Sequence, residues 1–192
     1  MIDLNVIICH YSADLEWVKE LKFPYTIYNK NPKNEGKYDY DLPNYGYDAL
    51  AYLTYIIDFY DVLPDFVCFT QDNPFDHCEG FIKRVNSFDG SQNFVPLGKS
   101  YVRDNITIQR DMKKFADDLE MDLDDEIKFI SGLQLIVSKE LIKSRTIEFY
   151  KKIREKLNKD KIVSYENYLI EYLWPSIMNF NKNLQVSLKN CI

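Results

Sequence analysis

Several residue patterns that mark common enzyme sites are missing from this chain. Only six of its 192 residues are glycine, and neither the glycine-rich dinucleotide fingerprint nor the phosphate loop of the NTPases is found. The two histidines, His10 and His77, have no histidine or cysteine partner at zinc-ligand spacing. The GxSxG sequence that carries the nucleophile of many hydrolases is missing as well. These absences exclude dehydrogenases and kinases of the usual kinds and argue against a zinc enzyme or a serine hydrolase.

The chain also lacks the long apolar segments of membrane proteins. No apolar run reaches about 18 residues, and the N-terminal run is too short and too acidic for a secretory signal. The four cysteines form no CxxC pair, and two of them lie in or beside apolar runs, where a reduced thiol behaves as a small apolar group. We therefore expect a soluble cytoplasmic protein, with peripheral membrane contact left open.

Positive charge is in short supply too. The chain has 24 basic residues against 30 acidic ones, a net charge of −6, so we expect no nucleic-acid partner, although a local basic pocket for a phosphate stays compatible. Aromatic residues are abundant, with 15 tyrosines and 12 phenylalanines. Tyrosine suits surfaces that contact sugars or bases. A compositional bias of the genome explains the same excess, and we prefer that explanation. Oligomeric state is not indicated.

What is present is an alternation of strand and helix patterns. Apolar runs and helical spacing first give a strand, a helix, a second strand, a helix and a third strand. This order predicts one α/β domain over residues 1–192, with a mainly parallel central sheet flanked by helices. The predicted strands are 4–9, 25–28, 66–70 and 128–137. The predicted helices are 12–21, 47–59, 81–85, 139–157 with Ser138 as its cap, and 165–177, while 29–44, 89–100 and the acidic run 119–126 are predicted loops or solvated faces.

The segment 66–77 is the most informative part of the sequence. An apolar, β-rich run ends abruptly in Gln71, Asp72, Asn73, Asp76 and His77. Ligands of open α/β sheets bind outside the carboxyl ends of the strands, so these side chains are candidates for a binding site. The alternative is an ordinary turn, which Asp-Asn-Pro favours equally well.

Carboxylates supply the remaining candidates for chemistry. Asp48, Asp72, Asp76, Glu166 and Glu171 follow predicted strands or lie on helices, where such groups act as general bases or hold a divalent cation. Glu171 lies within the apolar, aromatic stretch 168–175, and burial there would raise its pKa towards that of a competent base. The alternative is a glutamate on the polar face of an amphipathic helix, and the residues by themselves favour that alternative.

An ordered set of segments resembles domain-of-unknown-function family 3431, whose members look like small glycosyltransferases of the GT-A type. The resemblance spans nearly the whole chain, and the set is specific although each piece is weak. The segments are VIICHYSADLEW (6–17), IYNK (27–30), LPNYGYDALAYL (42–53), YDVLPDFVCFTQDNPFDH (60–77), GLQLIVSK (132–139), EFY (148–150) and IEYLWPSI (170–177).

The resemblance implies a fold that binds nucleotide-diphospho-sugars and transfers the sugar to a glycan acceptor in polysaccharide or glycoconjugate synthesis. The segment 71–73 stands where related transferases carry two acidic metal ligands. Here Asp72 alone would hold Mg²⁺ or Mn²⁺ with the donor diphosphate, or basic residues would neutralise the diphosphate instead. The pattern Asn-x-Gly-x-acid of the family ends in Asp48 rather than in the usual glutamate. Glu171 resembles the late acid that deprotonates the acceptor hydroxyl in an inverting transfer.

The implied site therefore has a donor side and a catalytic pair. Asp48 and Glu171 form the catalytic pair. The implied donor-binding residues are Asn44, Gln71, Asp72, Asn73, His77 and Lys139. Arg145, Lys151 and Lys152 are further candidates for offsetting diphosphate charge, or are plain solvated side chains.

Two other classes of function fit the same residues. A carbohydrate-binding or scaffold module would keep the fold without catalysis, which the loss of one motif aspartate supports. A metal-assisted hydrolase would use Asp72, Asp76 and His77 as metal ligands. Donor turnover separates the transferase from the first alternative, and metal binding without nucleotide affinity would favour the second.

Overall fold

A computed structural model describes residues 2–102, 106–123, 128–157, 159–160 and 164–179 of the protein. The strands there are β1 (Leu4–His10), β2 (Tyr25–Asn29), β3 (Tyr40–Asp41), β4 (Phe66–Gln71), β5 (Phe94–Pro96), β6 (Ser100–Val102), β7 (Lys128–Ile130) and β8 (Leu135–Ser138). The helices are α1 (Tyr47–Asp58), α2 (Phe81–Asn86), α3 (Ile106–Asp118), α4 (Lys139–Lys143), α5 (Ile147–Glu155) and α6 (Tyr165–Ile177).

The main sheet of this described part has six strands in the order β3-β2-β1-β4-β8-β5. β1 pairs in parallel with both β2 and β4, and β3 pairs in parallel with β2. β8 runs antiparallel to β4 and to β5, so it is the reversed strand in an otherwise parallel sheet. β6 and β7 form a separate antiparallel pair. The predicted mainly parallel α/β architecture is confirmed.

The sheet is covered on both faces because its inner strands are apolar on both. In β1, Ile7 and Cys9 point to the side of α1, whereas Val6 and Ile8 point to the opposite cluster around Trp17. Fully buried parallel strands are apolar along their whole length for this reason. α1 is buried at every position from Ala49 to Ile57, which shows that it lies between the sheet and an outer layer of helices rather than at the surface.

α6 has the bounds that the sequence predicts and helps to form that outer layer. Its Trp174 is fully buried, with ring centroids 5.9 Å from Tyr52 of α1 and 6.0 Å from Phe69 of β4. Each of these rings removes a large apolar area from water. The position of α6 against α1 and the sheet is therefore set by buried aromatic packing. None of the helices in the described ranges is long and apolar enough to cross a membrane.

The structure corrects two predicted elements around the site. The helix predicted for 12–21 is reduced to a 3-10 turn at Glu16–Glu20, and the residues before this turn surround Asp72, whose carboxylate accepts the backbone N–H of Ser12. The single strand predicted for 128–137 is two strands, broken at Gly132 and Leu133, whose φ angles of 67° and 53° are left-handed. An extended strand cannot pass through two such residues.

The later chain differs from its prediction in smaller ways. The cap at Ser138 is confirmed, since its side chain accepts a hydrogen bond from the N–H of Leu141. The predicted helix 139–157 is divided into α4 and α5, and Thr146 caps the second of them. The predicted loops 29–44 and 89–100 contain the short strands β3 and β5, and α3 was not predicted. Residues 124–127 of the acidic run lie outside the described ranges.

Candidate functional site

The parallel strands bring three chain segments to one edge of the sheet. β1, β2 and β4 end at His10, Asn29 and Gln71, and parallel pairing puts these ends side by side. From β1 the chain goes to β2 on one side, whereas β4 pairs on the other side. The order of the strands therefore reverses between β1 and β4, which is where open α/β sheets form ligand crevices. Gln71, Asp72 and Asn73 lie at this β1/β4 crevice.

Asp72 is tied to the loop that follows β1. Its Oδ2 accepts hydrogen bonds from the backbone N–H groups of Tyr11, Ser12 and Ala13, each at 2.9 Å. Its backbone carbonyl accepts from Nε1 of Trp17, also at 2.9 Å. Partial burial by itself would raise the pKa of this carboxyl, but the three backbone donors and the nearby His10 outweigh it and keep the pKa below its usual value. Asp72 is thus an ionised acceptor that holds the 11–13 loop.

His10 is a buried polar group beside Asp72. Its ring is 2% exposed, and Nδ1 lies 3.3 Å from Oδ2 of Asp72, although the two atoms are not aligned as a hydrogen bond. On the other side of the ring, Nε2 lies 3.4 Å from Nδ2 of Asn34, which can donate to it. If Asn34 donates, the ring proton is on Nδ1 and faces the Asp72 carboxylate.

A second polar cluster lies at the ends of β1 and β2 and the start of α1. It consists of Cys9, Lys30 and Asp48. The Lys30 residue is 4% exposed, and its Nζ donates to the backbone carbonyls of Tyr45 and Tyr47, each at 2.6 Å. Burial lowers the pKa of Lys30, while the charges of the Cys9 and Asp48 groups act in the opposite direction. A buried cation thus fixes the turn that leads into α1.

Asp48 has the most useful acid–base properties in this cluster. The residue is half-buried, and its carboxyl hydrogen-bonds inward to the thiol of Cys9, which is 5% exposed. Burial raises its pKa to about 6; the Cys9 hydrogen bond and the charge of Lys30 oppose that rise, and the charge of Asp72 adds to it. A carboxyl with such a pKa exchanges its proton near neutral pH, as a general base must.

The turn before α1 has an unusual backbone and lies next to a cavity. Gly46 and Tyr47 are both left-handed, with φ of 69° and 46°. A Cβ at Gly46 would lie 3.0 Å from Cδ1 of Leu157, so the position has no room for a side chain. Next to this turn is a cavity of ≈ 350 Å³. Its lining includes Asn29, Lys30, Asn31, Glu35, Asp41 and the predicted site residue Asn44.

Glu171 of α6 acts on Tyr47, the first residue of α1. The phenol of Tyr47 is raised in pKa by burial first, then by its hydrogen bond with Tyr168 and by the negative charge of Glu171. The charge of Glu171 therefore acts on the residue that precedes Asp48, while the Asp48 carboxyl itself hydrogen-bonds to Cys9. Glu171 is half-buried, so it is neither fully buried in the apolar stretch nor fully exposed on a polar helix face.

His77 and Gln71 are covered by the turn at Ser131–Leu133. A Cβ built on Gly132 would lie 2.5 Å from Cδ2 of His77 and 3.3 Å from Oε1 of Gln71. Nε2 of Gln71 donates to the carbonyl of Asn73 at 2.9 Å, which holds the segment after β4 in a tight bend. The missing side chain of Gly132 is therefore what lets the turn approach the end of β4.

We expect Gly132→Ala to lower the free energy of unfolding by about 2 kcal/mol, because it adds a left-handed alanine and an overlap with His77. Gly36→Ala is the matched control, since Gly36 has φ of 72° and open space around it. That control should lose only about 1 kcal/mol, the conformational part. Urea unfolding of both variants measures the difference. Equal losses would show that His77 gives way and that the turn does not constrain it.

The remaining predicted residues have other partners or are exposed. Lys139 lies at the opposite end of the sheet, with Nζ 2.6 Å from Asp65, because β8 is reversed and its last residue pairs with the first residue of β4. Lys151 pairs with Glu148 on α5 at 2.7 Å. Arg145 donates to the carbonyl of Ser176, while Lys152, Asp76 and Glu166 are exposed. The structure therefore keeps Lys139 apart from the other predicted donor-binding residues.

The residues around Asp72 do not fit a resident divalent cation. Oδ2 already accepts three N–H donors, and the described ranges contain no group of three or more His, Cys, Asp or Glu side chains able to hold a metal ion. Hard cations such as Mg²⁺ need several oxygen ligands. Asp72 is arranged as an acceptor for backbone donors.

Sequence reasoning missed Lys30, His10 and Cys9 as site residues. Each lies at the end of a predicted strand, so the rule that selected the residues after β4 also applied to them. Lys30 directly follows β2, and the structure shows it as a buried cation at the carboxyl edge of the sheet. His10 and Cys9 were considered only as zinc ligands or as reduced thiols, which hid their contacts with Asp72 and Asp48.

Comparison with known proteins gives one family match. Residues 6–88 match the family described as Protein of unknown function (DUF3431), which confirms the resemblance to that family. This stretch covers somewhat less than half of the chain and includes β1, β2, α1 and β4 with the residues of both polar clusters. The resembling segments at 132–139, 148–150 and 170–177 lie beyond it. No curated protein and no solved structure matches the chain.

Proposed function

We propose that this protein is a glycosyltransferase of GT-A type that moves a sugar from a nucleotide-sugar donor to a glycan acceptor. The observation that carries the proposal is the convergence of Asp72, His10, Lys30 and Asp48 at the carboxyl edge of a parallel sheet, where its strand order reverses. This is where α/β enzymes bind nucleotides and phosphorylated ligands. The proposal also includes a single domain, for which the continuous sheet gives support.

In this proposal the polar clusters divide the work. The cavity beside Lys30 and Asn44 receives the donor: the carboxylates of Glu35 and Asp41 in its lining accept hydrogen bonds from donor hydroxyls, and the buried ammonium group of Lys30 offsets part of the negative charge of the diphosphate. Gln71, Asn73 and His77 line the neighbouring end of β4 and contact the donor sugar. Asp48 or Glu171 takes the proton from the acceptor hydroxyl as the new bond to the anomeric carbon forms and the nucleoside diphosphate leaves. Asp72 orders the 11–13 loop rather than touching the reacting atoms.

One other function has a specific observation in its favour. Residues 71–73 contain one acidic side chain instead of the metal-binding pair of related transferases, and backbone donors engage that one, as in a carbohydrate-binding module without catalysis. Such a module would bind glycans but no nucleotide. We rank it second, because the raised pKa of Asp48 gives the site an acid–base group that a binding module does not need.

A thermal-shift and calorimetry screen of UDP, GDP, CMP and dTDP, with and without Mn²⁺, tests the proposal. We expect one nucleotide class to bind saturably and to stabilise the fold by about 2.7 kcal/mol at a hundredfold excess over Kd. Asn44→Ala should weaken that binding about tenfold, since it removes an amide from the cavity wall. Lys139→Met, at the far end of the sheet, is the control and should bind like the unmodified protein. Absence of binding by every nucleotide would reject the donor site.

A further inference from the structure

The outward face of α6 is made of tyrosines. Tyr165, Tyr168 and Tyr172 are spaced at i, i+3 and i+7 and therefore share one face of the helix. Tyr165 and Tyr168 are 45% and 40% exposed, while Leu169, Ile170 and Trp174 on the inner face are buried. Core packing accounts for the inner face. On the outer face, Tyr172 packs against the core and against Phe129 of β7, but core packing does not account for Tyr165 and Tyr168.

The rings continue from α6 to the candidate site. Tyr47 lies next to Tyr168 with ring centroids 5.3 Å apart, and Tyr168 is stacked on Tyr172 at 6.5 Å. We call Tyr47, Tyr168 and Tyr172 the tyrosine row. One end of the row is Tyr47, the residue before Asp48, and Glu171 lies beside the row, three residues after Tyr168 on α6. The row thus leads away from the two carboxylates that the proposed function uses.

We propose that the tyrosine row binds the acceptor glycan and orients one of its hydroxyl groups towards Asp48 and Glu171. A sugar ring has an apolar face of C–H groups and a rim of hydroxyls, and tyrosine offers a matching apolar ring with a polar tip. Carboxylate oxygens beside such rings accept hydrogen bonds from hydroxyls. The inference rests on the proposed function for the word acceptor, but glycan binding by the row stands on the geometry alone.

The charge around the row selects a neutral ligand. Nucleic-acid bases also stack on tyrosine, but their phosphates would face the carboxylates of Glu171 and of Asp111, which accepts a hydrogen bond from Tyr165 at 3.0 Å and pairs with the exposed Arg110. The chain carries a net charge of −6 as well. An uncharged oligosaccharide has no such repulsion to overcome, and its hydroxyls can donate to the same carboxylates.

Titration of the full chain with neutral linear oligosaccharides of glucose, galactose and N-acetylglucosamine, followed by saturation-transfer NMR and calorimetry, tests the inference. We expect at least one series to bind, Tyr168→Ala to weaken binding roughly five- to tenfold, and Tyr168→Phe to keep it within about twofold. Tyr25→Ala is the matched control, because Tyr25 is 42% exposed but lies at the amino end of β2. It should leave binding unchanged.

The outcomes separate this inference from the proposed function. Nucleotide-induced stabilisation should be the same in Tyr168→Ala as in the unmodified protein. Saccharide binding that depends on Tyr168 supports the row even if no nucleotide binds, and in that case the proposed function fails while the row belongs to a carbohydrate-binding module. Binding that Tyr168→Ala leaves intact, or no binding by any of the three series, overturns the inference. So would a concentration-dependent dimer that Tyr168→Ala abolishes, because the face would then bind a second copy.

Discussion

Asp72→Ala is expected to lower the free energy of unfolding by about 3–4 kcal/mol, since hydrogen bonds to an ionised group contribute about 1.5–3 kcal/mol each and water replaces part of the loss. The substitution leaves the backbone N–H groups of Tyr11, Ser12 and Ala13 without their common acceptor. It also removes the charge beside the buried ring of His10. Urea unfolding at pH 7 measures the effect.

The pH dependence of that loss follows from the lowered pKa of Asp72. A carboxyl with a lowered folded-state pKa stabilises the fold above its unfolded value, here 3.8, and loses that effect as pH falls through the folded pKa. The difference between the unmodified protein and Asp72→Ala should therefore be constant from about pH 8 to pH 5 and should shrink below about pH 4. Asp72→Asn, which keeps one acceptor oxygen, should lose less.

Asp65→Ala is the matched control for this prediction. Asp65 also adjoins β4, but its side chain is 61% exposed and its pair with Lys139 is on the surface. Such a pair contributes about 0–1 kcal/mol. If Asp72→Ala lost no more than Asp65→Ala, the Asp72 carboxylate would be available to a ligand rather than committed to the loop, and a metal role would regain support.

This result bears on how the donor site is tested. In a motif that resembles an acidic metal site, the natural experiment is to remove Asp72 and look for lost nucleotide binding. Here that loss would follow from a disordered 11–13 loop as readily as from a lost ligand contact. Asn44 is the better probe, because it lines the cavity and is not one of the acceptors that hold the loop.

The sequence predicts this fold well where local pattern decides structure. β1, β4 and α6 have nearly the predicted bounds, because apolar runs and helical spacing are local signals. The helix predicted at 12–21 failed for a distant reason. The loop at 11–13 is shaped around Asp72, about sixty residues away in sequence, and no local pattern indicates such a contact. The break at Gly132 is similar, since its cause is the approach of the turn to His77.

The site was predicted in part for the same reasons. The rule that ligands bind at carboxyl ends of strands correctly collected Gln71, Asp72 and Asn73 at one edge of the sheet. Lys139, which the family resemblance implied as a donor-binding residue, lies at the other edge, because the direction of β8 decides to which edge it belongs. An apolar strand of four residues has the same pattern in either direction. Only its pairing with β4 shows that it is reversed.

Asp48→Asn is expected to give the second large change in the free energy of unfolding. It should stabilise the protein, whereas Asp72→Ala should destabilise it. The folded-state pKa of Asp48 is raised from 3.8 to about 6, mainly by burial. A carboxyl of this kind opposes folding once it is ionised. The contribution of Asp48 to the free energy of unfolding is fully present below about pH 4 and is lost as pH rises through about 6. We expect Asp48→Asn to match the unmodified protein near pH 4 and to be more stable by about 2–3 kcal/mol at pH 8.

Two favourable interactions of the ionised Asp48 side chain limit this effect without changing its sign. Asp48 lies in the first turn, where the helix dipole favours a negative charge by about 0.3–1 kcal/mol. The nearby Lys30 acts in the same direction. Asp61→Asn, at an exposed aspartate beyond the other end of the helix, is the control, and its stability should change by less than about 0.5 kcal/mol at every pH.

The same experiment tests the role of Asp48 in the proposed chemistry. A base that must accept a proton near neutral pH has to hold its charge in an environment that disfavours it, so the stability lost on ionisation and the basicity have one cause. Urea unfolding from pH 4 to pH 8 should therefore show the stabilisation of Asp48→Asn growing through about pH 6. A difference that stays constant with pH would mean that the carboxylate is well hydrated, and Glu171 would then be the only one of the two predicted carboxylates left as the base.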